Sequence, residues 1–265
     1  MLVNVTTQTG HSAHALIVPS GVSTITITLE KLIIDWGSSP TYTTIMGVFA
    51  GASLLSVASA GKALLKKTDL NPLGWSINFG VLGIVLLLTG AGMVLTWPMK
   101  GQPFDNMIFG ETTLPLGILN IGLAVYFWKR MGALEQSDAP IFAVSNDLSP
   151  FRFLLTGLGL GLIAIACGAY TFPIFIAPPQ EPITGDFAAL FPIAENVIIT
   201  TMFLLVGIAA LLTVRFLSDL KKHNATLRWY HKANYLVIQL SGWYFLISSA
   251  LIYFTHIGLI VRTMK

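Results

Sequence analysis

Five ionisable side chains near one set of predicted loops could do chemistry: Asp105, Glu111, Asp186, Glu195 and His256. Carboxylates are the ligands that hard cations prefer, and an imidazole can exchange a proton near neutral pH. We therefore treat these residues as a candidate polar or cation site. The alternative is structural, because a carboxylate such as Glu111 or Glu195, each predicted to open a helix, also complements the positive end of the helix dipole.

Other chemical signals are weak. His11 and His14 have a spacing that would suit a copper or zinc site only on a helix, which nothing predicts there. Cys167 is the single cysteine, so an intrachain disulfide and any paired-cysteine motif are excluded. His256 is the only histidine in a predicted span, whereas a membrane haem usually takes two axial ligands. No catalytic residue and no cofactor is predicted, and the metal content stays open.

The composition places the chain in a membrane. Apolar residues make up 54% and charged residues 10% of 265 residues, and the mean hydropathy is +0.74. A soluble domain carries about 25% charged residues. The net charge of +3 is spread over loops, which argues against a nucleic-acid partner. We expect the lipid bilayer and bound lipid around the protein.

The fold class predicted is all-α: a polytopic membrane bundle of six helices. A spanning helix needs about 20 apolar residues, and its backbone must be hydrogen-bonded internally. Charge-free windows supply six candidates: residues 37–61, 70–99, 112–128, 153–180, 196–214 and 233–261. Together they predict one transmembrane domain over residues 37–261, preceded by an extracytoplasmic segment at residues 1–36.

The distribution of positive residues predicts the orientation. Eleven of the 15 lysines and arginines fall in one set of loops, which the positive-inside rule places in the cytoplasm. Both termini then lie outside, in a plasma-membrane protein, and the sequon at Asn4 lies on the side where glycosylation occurs. Residues 216–232 are basic and predict a surface segment that touches anionic lipid on the cytoplasmic side.

Two helical hairpins resemble each other in sequence. Each contains a glycine-rich helix that ends in a Thr-aromatic-Pro motif, then an outer loop, a glutamate and a second helix. The motifs are Thr96, Trp97 and Pro98 in one hairpin and Thr171, Phe172 and Pro173 in the other. We predict a tandem repeat over residues 75–130 and 153–215, with Pro98 matching Pro173 and Gly122 matching Gly207. The triplet Phe104-Asp105-Asn106 has no evident counterpart in the second copy.

Residues 42–130 carry a family resemblance through three motifs: Thr96-Trp97-Pro98, Phe104-Asp105-Asn106 and Phe109-Gly110-Glu111. This block resembles the uncharacterised membrane-protein family labelled domain of unknown function 981. The resemblance implies a membrane fold and no particular reaction. The first 35 residues and the sixth helix lie outside the part that carries it.

Three functions fit the sequence. The first is a non-catalytic scaffold or accessory subunit of a larger membrane complex, favoured because no span carries a charge at its middle and no catalytic motif is found. The second is a small transporter or channel whose entry site is built from the extracytoplasmic carboxylates. The third is a metal-binding membrane protein or enzyme that uses Asp105, Glu111 and His256, and close contact of Glu111, Glu195 and His256 would favour it.

Overall fold

The computed structural model describes residues 43–67, 70–221 and 228–264, and in this part of the chain the only regular secondary structure is helical, without strands. Its helices are α1 (Thr43–Lys66), α2 (Pro72–Thr96), α3 (Thr112–Gln136), α4 (Pro140–Asp147), α5 (Arg152–Thr171), α6 (Thr184–Leu190), α7 (Ala194–Lys221) and α8 (Trp229–Thr263). A turn at Pro103–Asp105 and a π-helical segment at Asn106–Glu111 run directly into α3.

Among the described residues, six helices are long and apolar enough to cross a membrane: α1, α2, α3 with its leading turns, α5, α7 and α8. The predicted all-α bundle with six spans is therefore confirmed, and the protein is embedded in a membrane. Many large apolar side chains on these helices are exposed, including Leu88 and Leu236, as expected where lipid replaces water.

The third span differs from its prediction. It runs from Pro103 to Gln136 as one continuous helix, whereas the charge-free window began at Thr112. The window rule treated Asp105 and Glu111 as boundaries, but Asp105 lies in the first helical turn. Glu111 directly precedes α3, but it does not open the span, because it ends the π-helical segment that leads into α3.

The fourth span is shorter than its window. Helix α5 ends at Thr171 instead of continuing to Gln180, because Pro173 cannot donate the next backbone hydrogen bond. At the other end of the bundle, α7 continues to Lys221 and α8 begins at Trp229. The basic segment predicted at residues 216–232 thus belongs largely to these two helices, and residues 222–227 lie outside the described residues.

The spanning helices pack closely in three pairs: α2 with α3, α5 with α7, and α1 with α8. Glycines allow the close approach in each pair. A Cβ added at Gly117 would lie 2.5 Å from the Leu87 backbone nitrogen, and one at Gly207 would lie 2.8 Å from the Gly159 carbonyl oxygen. Between α1 and α8, a Cβ at Gly51 would overlap the Leu246 backbone.

Polar side chains inside the spans bond to neighbouring helices. The Ser53 hydroxyl of α1 donates to Asn120 Oδ1 of α3 at 3.0 Å, and Asn78 of α2 donates to Ser56 at 2.9 Å. Such bonds are worth about 0.6 kcal/mol each within a membrane. They join α1 to the pair formed by α2 and α3.

The bundle has two chemically different ends. We call the end formed by residues 97–102 and 172–193 the proline end; α2 and α5 end there. The opposite end, where α1 and α7 end, we call the basic end, because most of the lysines and arginines lie near it. Its apolar core includes Leu64, Phe79 and Leu134.

Several predictions fall outside the described residues. These are the extracytoplasmic segment at residues 1–36 with His11, His14 and Asn4, and they remain predictions.

Candidate functional site at the proline end

The two Thr-aromatic-Pro motifs end their helices in the same way. The hydroxyl of Thr96 donates to the Gly92 carbonyl at 2.7 Å, and that of Thr171 donates to the Cys167 carbonyl at 2.9 Å. The backbone N–H of the following aromatic residue, Trp97 or Phe172, closes the last helical turn. Proline then prevents continuation. Both motifs therefore serve to end their helices.

Asn106 holds the loop that follows the first motif. Its Oδ1 accepts from the Met99 backbone N–H at 3.1 Å, and its Nδ2 donates to the carbonyls of Met99 and Pro103 at 3.0 and 3.2 Å. The residue is only 1% exposed. One side chain thus satisfies three backbone groups in a short connection that would otherwise be buried without partners.

Asn196 does the same for the second motif. Its Oδ1 accepts from the Phe175 backbone N–H at 3.0 Å, and its Nδ2 donates to the Ala169 carbonyl at 2.9 Å. The neighbouring Glu195 accepts from the Ala177 backbone N–H at 2.8 Å. The loop after Pro173 is therefore tied to the first turn of α7 by two adjacent side chains.

The contacts add one similarity between the hairpins. The triplet Phe104-Asp105-Asn106 is not repeated as such, but Glu195 and Asn196 form a similar acidic-Asn pair at the start of a helix. Gly117 and Gly207 each follow their asparagine by eleven residues, and each packs against the partner helix of its hairpin. Gly122 instead faces the Phe151 ring, so the contacts favour Gly117 as the match for Gly207. Superposition of the whole hairpins stays a prediction.

A buried carboxylate that the sequence analysis did not select lies against α8. Glu181 is 7% exposed, and its Oε1 accepts from the Thr255 hydroxyl at 2.5 Å. His256 Nε2 lies 3.9 Å from the same oxygen, and His256 Nδ1 is buried without a hydrogen-bond partner among the described residues. Pro182 packs directly on Gly258, which brings Glu181 to the helix. Glu181 lies in a loop without periodicity, so no sequence signal could place it.

The structure does not gather the five predicted candidates in one place, although Glu195 lies near enough to Glu181 for their charges to interact. His256 meets Glu181, Glu195 ties the loop of the second hairpin, and Asp105 is buried in the first hairpin beside Asn106. Glu111 and Asp186 are exposed. In the described ranges, no three histidine, cysteine, aspartate or glutamate side chains are grouped so that they could hold a metal ion. The contact of Glu111 and Glu195 with His256 that would favour a metal site is therefore not observed there.

The basic end carries a second polar cluster, which the sequence analysis also missed. Asp219 of α7 accepts hydrogen bonds from Tyr230 and from His231 Nε2, the latter at 3.2 Å, and its Oδ1 lies 3.3 Å from Arg215 Nε. His231 Nδ1 accepts from the Arg228 backbone N–H, so the ring proton is on Nε2. With both ring nitrogens and the carboxylate engaged, this cluster joins α7 to α8.

The family comparison agrees with this architecture. A family model described as protein of unknown function (DUF981) matches residues 39–258. The chain belongs to the DUF981 family. The match extends well beyond residues 42–130, over the second hairpin and most of α8, so it covers all or most of each of the six spanning helices of this DUF981 protein. Neither a curated protein nor a solved structure matches the chain significantly.

Proposed function

We propose that this DUF981 protein is a non-catalytic integral membrane subunit, a scaffold or accessory component of a larger membrane complex. The observation that carries the proposal is an asymmetry in how α5 uses its glycines. One face of α5, with Gly159, packs against Gly207 of α7. The opposite face carries Gly157, Gly161 and Gly168, and no described atom lies within 4 Å of a Cβ built at any of them.

This free face has the spacing of a helix–helix interface. Gly157 and Gly161 are four residues apart, and Ala164 and Gly168 continue the row at intervals of three and four. Small residues at this spacing let two membrane helices approach closely, which favours packing over lipid contact. Lipid alone gives no reason for small side chains there, because neighbouring exposed positions hold Phe153 and Leu160.

The polar residues support the same proposal. Glu195 is bonded to the backbone of its loop and Glu181 to Thr255, so both have structural partners. Asn106 and Asn196 satisfy buried loop backbone. The hydrogen bonds between spans, such as Ser53 with Asn120, link helices to one another. The carboxylates and amides that could otherwise take part in a reaction thus each have a structural role.

The test is purification of the full chain from its native membranes in a mild detergent, with its mass measured by size exclusion coupled to light scattering. We expect a complex larger than one chain. Gly161→Leu should release the chain from it, whereas Gly92→Leu should not. Gly92 is the matched control, since a Cβ there also meets no described atom but lies on α2. A wild-type protein that purifies alone, or equal effects of both variants, would contradict the proposal.

The second candidate, a small transporter or channel, rests on Glu181 and His256. A buried carboxylate 3.9 Å from an imidazole, whose other nitrogen has no hydrogen-bond partner in the part of the chain that the structure describes, can exchange a proton or bind a cation. Ion flux in liposomes that contain the purified protein tests this candidate. Flux that Glu181→Gln removes and Asp186→Asn preserves would replace the scaffold proposal, because Asp186 is an exposed carboxylate of α6, in the same connection between α5 and α7.

The orientation is also part of the proposal: the basic end faces the cytoplasm of a cell whose plasma membrane holds the protein, and both termini lie outside. Its support is the excess of lysine and arginine at that end. In a Cys167→Ser background, a membrane-impermeant thiol reagent applied to intact cells should label Asp186→Cys and spare Lys66→Cys. Both positions are exposed, so the opposite labelling pattern would reverse the orientation.

A further inference from the structure

A groove of about 350 Å³ opens at the basic end, between α3 and the turn that precedes α5. Its lining includes Gly122, Val125, Tyr126, Lys129, Asp147 and Phe151. We propose that this groove binds an anionic phospholipid of the surrounding bilayer, with the phosphate at Lys129 and the upper acyl chain along Gly122 and Phe151. This inference goes beyond the subunit proposal and does not depend on it.

The shape of the groove depends on Gly122. A Cβ built there would lie 3.2 Å from Cζ of the Phe151 ring, so a larger side chain would displace the ring or fill the space. Val125 is 44% exposed and supplies an apolar wall one turn closer to the basic end. The part of the groove formed by Gly122, Val125 and Phe151 is therefore apolar and accessible, which suits a hydrocarbon chain.

The charges of the groove select an anion. Arg130 Nε and a terminal guanidinium nitrogen donate to Asp147 Oδ2 at 3.1 and 2.7 Å, and the Tyr126 hydroxyl donates to the same oxygen at 3.1 Å. Asp147 is thereby compensated by Arg130. Lys129 is exposed and forms no ion pair with a described carboxylate, so its charge is available to a phosphate.

A second free charge lies nearby in sequence. Arg152 follows Phe151 directly, is exposed, and its guanidinium lies 4.8 Å from the centre of the Phe153 ring. It forms no described ion pair either. The groove therefore combines one neutralised pair with one uncompensated cation, Lys129, and Arg152 adjoins its lining residue Phe151 in the chain. This charge balance favours an anionic over a zwitterionic headgroup.

The polar and apolar parts of the groove are separated along the bilayer normal, as the headgroup and acyl chains of a phospholipid are. Trp128 is 59% exposed beside Lys129, and tryptophan is enriched at the level of the headgroups. Gly122 precedes Lys129 by seven residues, which corresponds to roughly 10 Å along a helix. With Lys129 at the headgroups, Gly122 lies at the depth of the upper acyl chain. A free phosphate would use only the charged part.

Native mass spectrometry of the full chain tests the site, with phosphatidylglycerol and phosphatidylcholine titrated separately. We expect tighter binding of phosphatidylglycerol, and an affinity about fivefold lower after Lys129→Gln, as for loss of one lysine contact at a membrane surface. Lys62→Gln is the matched control, because Lys62 is an exposed lysine of α1 near the same end. Equal binding of both lipids by the wild type, or equal effects of both lysine variants, would overturn the proposal.

Two further measurements separate the headgroup from the acyl chain. Gly122→Leu should weaken binding of phosphatidylglycerol, whereas Gly132→Leu should not, since a Cβ at Gly132 meets no described atom. If Gly122→Leu lowers the unfolding temperature, Val125→Asn replaces it, because Val125 is exposed and can be changed without disturbing the core. Displacement of the lipid by millimolar inorganic phosphate, or full retention in both groove variants, would contradict an acyl-chain site.

Discussion

The hairpin of α2 and α3 and the hairpin of α5 and α7 use the same parts in different surroundings. Each has a helix that ends at a Thr-aromatic-Pro motif, an asparagine that holds the following loop, and a glycine contact between its helices. In the first hairpin, Gly83, Gly90 and Gly117 all face the partner helix, and α1 bonds to both helices. In the second, α5 has glycines on two opposite faces.

This difference between the hairpins shows which helix faces are closely packed within the chain. The first hairpin uses Gly83, Gly90 and Gly117 for contacts within the chain, and its polar side chains at Asn78 and Asn120 hold α1 in place. The second hairpin is held by one glycine face and leaves the other unoccupied by described residues. Similar hairpins can thus use their glycines for two kinds of contact: with helices of the same chain in the first hairpin and, as proposed above, with another protein in the second.

The largest expected effect comes from filling an internal glycine contact. Gly117→Leu should destabilise the fold by about 3 kcal/mol, because the new Cβ would lie 2.5 Å from the Leu87 nitrogen and a backbone atom cannot yield as a side chain can. Thermal unfolding in detergent, followed by circular dichroism, measures the loss. Gly157→Leu is the control from the other hairpin. Equal unfolding temperatures for the two variants would remove the distinction between packed and free glycines.

The asparagines provide the next comparison. Asn106→Ala and Asn196→Ala should each cost about 2 kcal/mol, since buried backbone groups lose their partners. Asn106 makes three such bonds and Asn196 two, so we expect the greater loss at Asn106. The same unfolding measurement applies. A negligible effect at either position would show that its loop is held by other contacts.

A smaller effect is expected at Glu195. Glu195→Gln keeps an oxygen that can accept from the Ala177 N–H, so stability should change by less than about 1 kcal/mol, whereas Glu195→Leu leaves that donor unpaired and should cost about 1–2 kcal/mol. Hydrogen exchange at the Ala177 amide reports the bond directly. If the two variants behaved alike, the carboxylate would have a role other than holding the loop.

The smallest effect is expected at Glu111. Its side chain is exposed and no described residue bonds to it, so Glu111→Gln should leave the free energy of unfolding within about 0.5 kcal/mol of the wild type. Metal analysis and ion flux in liposomes should likewise be unchanged. Loss of stoichiometric metal or of flux in this variant would instead make Glu111 part of a working site, and the first hairpin functional.

Much of the fold was predictable because membrane spans are long and their composition is simple. Windows without charge found all six helices, and the motifs at Pro98 and Pro173 marked true helix ends. The start of the third span was missed because Asp105 is a charged residue that the first helical turn buries. A rule based on charge cannot distinguish a loop carboxylate from one folded into a helix end.

The candidate site was less predictable. Glu195 and His256 lie at the proline end as expected, but the partner of His256 is Glu181, which lies 75 positions away in a loop. Such pairings depend on how the loop folds back, which helix periodicity does not encode. A local signal existed only for Asn106 and Asn196, since each follows an acidic residue at the start of a span.

The π-helical segment Asn106–Glu111 determines how far α3 is rotated about its own axis relative to the turn that precedes the segment. Before it, Asn106 is anchored to Met99; after it, Gly117 must face α2 and Asn120 must reach Ser53. A π turn accommodates one residue more than an α turn does. If the same residues were wound as an ordinary α-helix instead, the rest of the helix would be rotated by about 100° relative to its start. The chain would then have to give up either its loop anchor or its contacts with α1 and α2.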